Sequence, residues 1–454
     1  MRTLSMGMLG VLAALTISGQ LASGQPHAEV AASGHARSDV VAGSATIPPS
    51  CEVAAPEIKG PIPSLLDTEM PDGTVVLGGS YVKAGRLVTV LQAVSPNCQP
   101  AQGFGVHGTA TVTLPVHSAS AVIDVIAATT DGKILLGGGI GPDLVVGRLL
   151  ADGRVDAGFG TSGWARLQSP AKPPPGMFSG YAISSLALGP AGTIYLGGND
   201  GTAHCCVEDF VGALSSNGQS ERSFGHDGWA ILPALDGSYD TEIFPGVSGI
   251  LVMGFVMYTG CGGPVLSRLD ARGRLDKTFD SNVQHSLASA TARYVLVGPA
   301  LYQRPNGGFA LVGDLIASGC QSQVAKLAGK GLALGFRSNG DIDPSFGTAG
   351  RTGFTYDGSS GTWALPLPDG STVVVTDQVP AGAYGAPRAL EVRELSPAGR
   401  LKPAPCRSGT CTVNLSWATA TNSYPAVDAM AAPDGSVVII VVAKQRAKIY
   451  RVSP

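Results

Sequence analysis

Pro71-Asp72-Gly73, followed by Val75-Val76-Leu77-Gly78-Gly79, decides the fold, because the same order of residue types returns along the whole chain. Thr130-Asp131-Gly132 leads to Ile134-Leu135-Leu136-Gly137-Gly138, and Pro190-Ala191-Gly192 leads to Ile194-Tyr195-Leu196-Gly197-Gly198. Looser copies are Gly249-Ile250-Leu251-Val252-Met253-Gly254 and Pro305-Asn306-Gly307 with Ala310-Leu311-Val312-Gly313. Two more are Pro368-Asp369-Gly370 with Val373-Val374-Val375, and Pro433-Asp434-Gly435 with Val437-Val438-Ile439-Ile440. A self-similarity of about 60 residues marks a repeat architecture. Asp-Gly and Asn-Gly steps suit tight turns, where glycine accepts positive φ at little cost. The strand after each turn is apolar at consecutive positions, as expected when both of its faces are covered.

A second anchor follows in phase: glycine, any residue, an apolar residue, an acid, two residues, then phenylalanine and usually glycine. The copies are Gly153-Arg154-Val155-Asp156 with Phe159-Gly160, and Gly218-Gln219-Ser220-Glu221 with Phe224-Gly225. Gly273-Arg274-Leu275-Asp276 with Phe279, and Gly340-Asp341-Ile342-Asp343 with Phe346-Gly347, continue the series. Copy one keeps Phe104-Gly105 but has Cys98 at the glycine, whereas copy six keeps Gly399 but has Pro405-Cys406 in place of Phe-Gly. The recurring phenylalanines are expected to pack between repeats. Trp164 and Trp229 share one repeat position, which also reads as structural.

These Asp-Gly turns, Gly-Gly strand ends, Arg148-Leu149 and Arg268-Leu269 strands and Asp-x-x-Phe-Gly anchors resemble the delta-60 repeat, a bacterial family. The resemblance covers about residues 65–454 and implies a β-propeller, while implying no uniform activity. The expected fold is therefore all-β, a roughly seven-bladed propeller of about 60-residue repeats. Closure is preferred to an open solenoid because it leaves only short protected strand edges. Copy seven offers three strands, near Val427–Ala431, Val437–Val442 and Lys448–Val452. The missing fourth is expected from a segment between about 40 and 60.

Composition agrees. The chain has 454 residues, of which 63 are glycine, only 14% are charged and 44% are hydrophobic. That combination favours many turns and short apolar strands over disorder. A net charge of −3 with no basic run gives no electrostatic footprint for nucleic acid or an anionic membrane.

Residues 1–24 read as a cleaved signal peptide: Arg2, an apolar stretch from Leu4 to Ile17, and a small-residue site at Ala22-Ser23-Gly24. Residues 25–50 read as a flexible leader and 51–454 as the propeller. The location implied is secreted or extracytoplasmic, with no membrane span after cleavage. In such a compartment the eight cysteines are disulfide candidates. Repeat phase suggests Cys51–Cys98, Cys261–Cys320 and Cys406–Cys411, leaving a vicinal Cys205–Cys206 bridge. Pairing of Cys205 or Cys206 with Cys261 is the competing arrangement.

Candidate chemistry is sparse. His204-Cys205-Cys206 is the most reactive-looking cluster, yet no partner motif supports zinc. A vicinal cysteine pair also occurs in quinoprotein alcohol dehydrogenases, but the regular tryptophan docking motifs of those propellers are missing. Asn339, Asp341 and Asp343 alternate like a calcium loop, but Pro344 and Gly350 stand where glycine and glutamate are needed. His107 and His226 fall in Phe-Gly turns. Acidic residues sit mostly at repeat turns, so no carboxylate pair stands out, and no catalytic, cofactor or metal site is assigned. The expected function is a monomeric binding or scaffold propeller for an unknown protein or glycan. Its candidate face carries Tyr81, His204, Tyr258 and Tyr384. The alternative is a secreted propeller enzyme, a hydrolase or lyase acting on a polysaccharide or lactone. Converging carboxylates or histidines at the axis would mark it.

Overall fold

In a computed structural model of the chain, the turn that opens each repeat closes on itself through its backbone. Met70 N–H donates to Thr74 O and Gly73 N–H to Met70 O, while Asp72 Oδ1 accepts from Thr74 N–H at 2.9 Å. The same pair of backbone bonds recurs at Thr129–Lys133, Arg304–Gly308, Leu367–Ser371 and Ala432–Ser436. The structure describes residues 45–47, 49–55, 65–115, 121–170, 182–199, 209–232, 241–258, 261–291, 294–317, 330–355, 362–378, 389–403, 411–418, 425–443 and 446–453.

Each turn joins the first two strands of a blade, and the result is a seven-bladed β-propeller. Two short strands precede the blades, β1 (Ala45–Thr46) and β2 (Cys51–Ala54). Blade 1 is β3 (Leu66–Glu69), β4 (Val75–Lys83), β5 (Arg86–Val94) and β6 (Thr109–Pro115). Blade 2 is β7 (Ala121–Ala128), β8 (Ile134–Ile140), β9 (Asp143–Leu149) and β10 (Trp164–Gln168). Blade 3 is β11 (Ala182–Leu188), β12 (Ile194–Asn199), β13 (Asp209–Leu214) and β14 (Trp229–Ile231). Blade 4 has β15 (Glu242–Gly246), β16 (Gly249–Tyr258) and β17 (Cys261–Leu269), then helix α1 (Lys277–Thr291). Blade 5 is β18 (Tyr294–Gln303), β19 (Phe309–Ala317), β20 (Lys330–Phe336) and β21 (Arg351–Thr355). Blade 6 is β22 (Thr362–Pro366), β23 (Thr372–Gln378), β24 (Ala389–Leu395) and β25 (Cys411–Asn414). Blade 7 is β26 (Ala426–Ala431), β27 (Val437–Ala443) and β28 (Arg446–Val452).

Successive strands pair antiparallel, so the first-to-second and third-to-fourth connections lie at one face. The second-to-third connections and the links between blades lie at the other. The repeated turns all belong to the first, which we call the turn face. The opposite end is the loop face.

Burial follows the repeat. All of β8, β12 and β13 is buried, because each second or third strand has a blade on either side. The apolar side chains gather into seven clusters, one at each seam; Leu135, Phe159 and Ile183, for example, fill the seam between blades 2 and 3. The Gly-Gly strand end is a close-approach position. A Cβ on Gly138 would lie 2.0 Å from Val122 O, where the inner strand β7 bulges between Ile123 and Val125.

The second anchor staples blade to blade. Phe159 is fully buried, and its ring lies against Gly218 of the next blade's turn, leaving no room for a Cβ there. Gly160 turns sharply with φ 54° and donates its N–H to Asn217 O at 2.8 Å. Gly105 to Asp152 O, Gly225 to Arg272 O and Gly347 to Ala398 O repeat this bond. Both anchor residues thus exist for one contact, which explains their constant phase. Arg148 stacks 4.7 Å over Phe159 and pairs with Asp156 at 2.9 Å; Arg268 does the same over Phe279 with Asp276.

Blade 4 departs from the pattern. Phe279 is followed by Asp280 instead of the glycine that makes the sharp turn, and the chain continues as α1. Asp276 caps it, its Oδ1 accepting from Phe279 N–H at 3.0 Å. Phe279, Val283 and Leu287 bury one helix face in the seam with blade 5.

Residues 45–54 close the ring. β1 pairs parallel with β25 of blade 6, placing it within the stretch that the sequence reads as a leader. β2 pairs antiparallel with β28 and supplies the fourth strand of blade 7. Cys51 then bonds to Cys98 in the turn of blade 1, with 5.3 Å between Cα atoms. Cys98 keeps the positive φ, 66°, of the glycine it replaces. One short strap therefore touches blades 6, 7 and 1.

Candidate functional site

The innermost strand of each blade carries little of the repeat signature, and three of these strands hold buried acids. Asp67 on β3 and Asp428 on β26 meet across the seam between blades 1 and 7. Asp428 Oδ1 accepts from Trp363 Nε1 of blade 6 at 2.9 Å and from Ala429 N–H at 2.7 Å. Two donors favour the anion at Asp428. Asp67 has no such donors, and its Oδ2 is buried without a hydrogen-bond partner. Burial, then the neighbouring Asp428 carboxylate, drive its pKa well above the usual carboxylate range. Burial raises Asp428 as well, against its donors, so the two facing carboxyl groups both lean toward the protonated form, Asp67 the more strongly.

Asp124 sits on the bulge of β7 in blade 2, its Oδ2 also buried and unpartnered. Burial raises its pKa to about 7. The expectation that no carboxylate pair stands out is corrected by Asp67 and Asp428. The repeat's acids lie at its turns, whereas this pair is formed by strands 361 residues apart. The available signal was an acid interrupting an inner-strand run, in Leu66-Asp67 and Val427-Asp428. A carboxylic acid beside a carboxylate can exchange a proton with a bound group, as general acid or base.

The sequence-derived binding residues all fall at second-to-third connections, hence at the loop face. Tyr81 is half-buried near the end of β4, opposite Val88. Tyr258 ends β16, opposite Cys261. His204 and Tyr384 lie outside the described residues, in the segments joining β12 to β13 and β23 to β24. Of the four, the structure thus describes Tyr81 and the backbone of Tyr258, both at the loop face.

Of the cysteines, Cys51 and Cys98 are joined as the repeat phase suggests. Cys411 is also disulfide-bonded, to a partner outside the described residues. Cys205, Cys206, Cys320, Cys406 and the side chain of Cys261 are likewise outside them. Asn339 and Asp343 serve their turn: Asn339 Oδ1 accepts from Asp341 N–H at 3.2 Å, and Asp343 binds Arg304 at 2.6 Å. Among the described residues, no group of three His, Cys, Asp or Glu side chains could hold a metal ion. No described helix is long and apolar enough to cross a membrane.

No family model matches the chain, and no curated protein matches it by sequence. Solved structures of similar shape include a chain of the mitotic checkpoint complex, 10% identical, with a TM-score of 0.47, covering 96% of this chain and 100% of that one. The polysaccharide lyase Uly1 is 9% identical, with a TM-score of 0.46 and coverages of 96% and 95%. The GH93 α-L-arabinofuranosidase of Fusarium graminearum is 10% identical, with a TM-score of 0.42 and coverages of 88% and 96%. These similarities concern the fold and nothing finer.

Proposed function

We propose that the protein is an extracytoplasmic binding propeller of the delta-60 type, which takes a protein or glycan ligand at its loop face. The observation that carries this reading is the division between the two ends of the ring. Every repeated turn is on the turn face, either closed on its own backbone or spent on stapling blades. The connections at the loop face share no repeat pattern, and by sequence they hold Cys205, Cys206, Cys261 and Cys320 with Tyr81, Tyr258 and Tyr384, while the other four cysteines lie elsewhere. Conserved scaffolding with individual loops is how binding surfaces are built. Export through a cleaved signal peptide belongs to the same reading, supported by Cys51–Cys98, since disulfides persist in oxidising compartments.

The test is a glycan array together with cross-linked capture from the native envelope or medium. It compares the full chain with a variant whose residues 379–388 are replaced by Asn-Gly. Binding by the full chain and loss in the variant, at unchanged melting temperature, is expected. Equal binding by both would count against the loop face.

A second reading has one specific observation behind it. Asp67 and Asp428 face each other on the inner strands of blades 1 and 7, both raised by burial, so an acid–base enzyme is the alternative. Turnover of polysaccharide or lactone substrates that disappears in Asp67→Asn and Asp428→Asn would replace the binding reading.

A further inference from the structure

We propose that the rim groove between blades 5 and 6 is an oxyanion-binding site, separate from the loop face. It is an open groove of about 540 Å³ lined by Gly347, Thr348, Arg351, Thr352, Arg400 and Leu401. Both arginines are exposed, and neither guanidinium meets a carboxylate among the described residues.

The repeat supplies the internal comparison. Arg154 occupies in blade 2 the position of Arg400, and Asp152 Oδ2 neutralises it at 2.7 Å. Arg274 in blade 4 is neutralised by Asp270, also at 2.7 Å. In blade 6 the corresponding positions are Ala398 and Ser396, so Arg400 loses both acids. At the position of Arg351 the other copies have Thr109, Trp164 and Trp229. The equivalent groove between blades 1 and 2 accordingly carries Val106, Thr109 and Val155, with its single arginine already paired. Two changes against the repeat thus converge on one groove and leave it with two guanidiniums unpaired among the described residues.

A guanidinium presents a planar fork of donors that matches a carboxylate, sulfate or phosphate. Thr348 adds a hydroxyl group beside them, while that of Thr352 donates to Gly399 O. The ligand class is therefore an oxyanion on a body of sugar size, since cavities of roughly 300–1,000 Å³ suit small ligands. Uronates, sulfated sugars and inorganic phosphate share this chemistry and are separated by experiment.

Isothermal titration of the full protein at low salt, with a galacturonate trisaccharide, a sulfated disaccharide and inorganic phosphate in turn, tests the site. At least one should bind with a Kd of about 1 mM or tighter, weakening as salt is raised. Ala398→Asp restores the acid of blade 2 and should reduce affinity tenfold or more. The blade staple survives it, because Gly347 N–H bonds the backbone O of residue 398. Arg351→Gln should produce a similar loss and serves as the reading should Ala398→Asp disturb the turn. The proposal is overturned if none of the three anions binds, or if folded variants bind as the wild type does.

Discussion

Lys402 Nζ lies 2.5 Å from Glu394 Oε1, and the two hold, with signs exchanged, the repeat positions of Asp156 and Arg148. Blade 6 thus keeps the interaction of blades 2 and 4 while reversing its polarity. The pair rests on the repeat geometry: the same backbone bond joins these two positions in blades 1 to 6, and blades 2, 4 and 6 place opposite charges on them. Glu394 is buried, with Lys402 as its cationic partner, and copy six has no phenylalanine at the anchor over which Arg148 stacks in blade 2.

Removing one partner should therefore be worse than exchanging both. Lys402→Asp is expected to lower stability by about 1–3 kcal/mol, because it leaves two facing acids, one buried. Lys402→Asp with Glu394→Arg should recover most of that loss. Urea unfolding of the single and double variants measures the coupling; additive losses would show that the positions are independent.

Phe159 should be among the most sensitive positions in the chain. Phe159→Ala removes a fully buried ring from the seam between blades 2 and 3, and a loss of about 3–5 kcal/mol is expected. Gly218→Ala should also destabilise, since its Cβ would lie 2.8 Å from that ring and its φ is +83°. Chemical denaturation reads both; a neutral Gly218→Ala would remove the staple as the reason for the repeat phase.

The strap is testable through its covalent end. Cys51→Ser with Cys98→Ser should lower stability by about 2–4 kcal/mol, and removal of residues 45–54 should lower the melting temperature further. A melt unchanged by the deletion would mean that blade 7 needs no fourth strand. Reduction with dithiothreitol should reproduce the cysteine variant in part, which a calorimetric scan detects.

Asp124 gives the fold a pH dependence of defined sign. In the native protein it holds its proton up to about pH 7, whereas the unfolded chain releases it near the ordinary value of 3.8. Between these values the native state binds the extra proton, so stability falls as pH rises through the window. Asp124→Asn should remove that slope, matching wild type below about pH 4 and exceeding it above pH 7 by up to about 4 kcal/mol. Thermal melts from pH 4 to 9 decide; parallel curves would contradict a buried acid.

How much of this could be read beforehand depends on whether a feature repeats. The turns at Gly73 and Gly132, the packing of Phe159 and the shared place of Trp164 and Trp229 were legible because two to five copies report on the same contact. The last blade's three strands followed from the same phase. Helix α1 was not, since its only sign is Asp280 in place of one glycine. Asp67 and Asp428 escaped because inner strands contact neighbours that differ from blade to blade, so no two copies share a pattern. The parallel pairing of β1 also left no trace, two residues being too few for a periodicity. Arg400 is the instructive middle case: its residue type fits the repeat, and only the loss of Asp152's counterpart makes it exceptional.

The central claim, that ligand is taken at the loop face, is tested most directly by site-specific photo-crosslinking. A benzophenone side chain placed at Tyr81, on the loop face, is compared with one at Val247, which is 96% exposed in a turn-face hairpin. Each protein is incubated with native envelope or medium, irradiated, and its adducts are identified by mass spectrometry. A discrete adduct from position 81 and none from position 247 is the expected result. An adduct from position 247 with none from position 81 would contradict it.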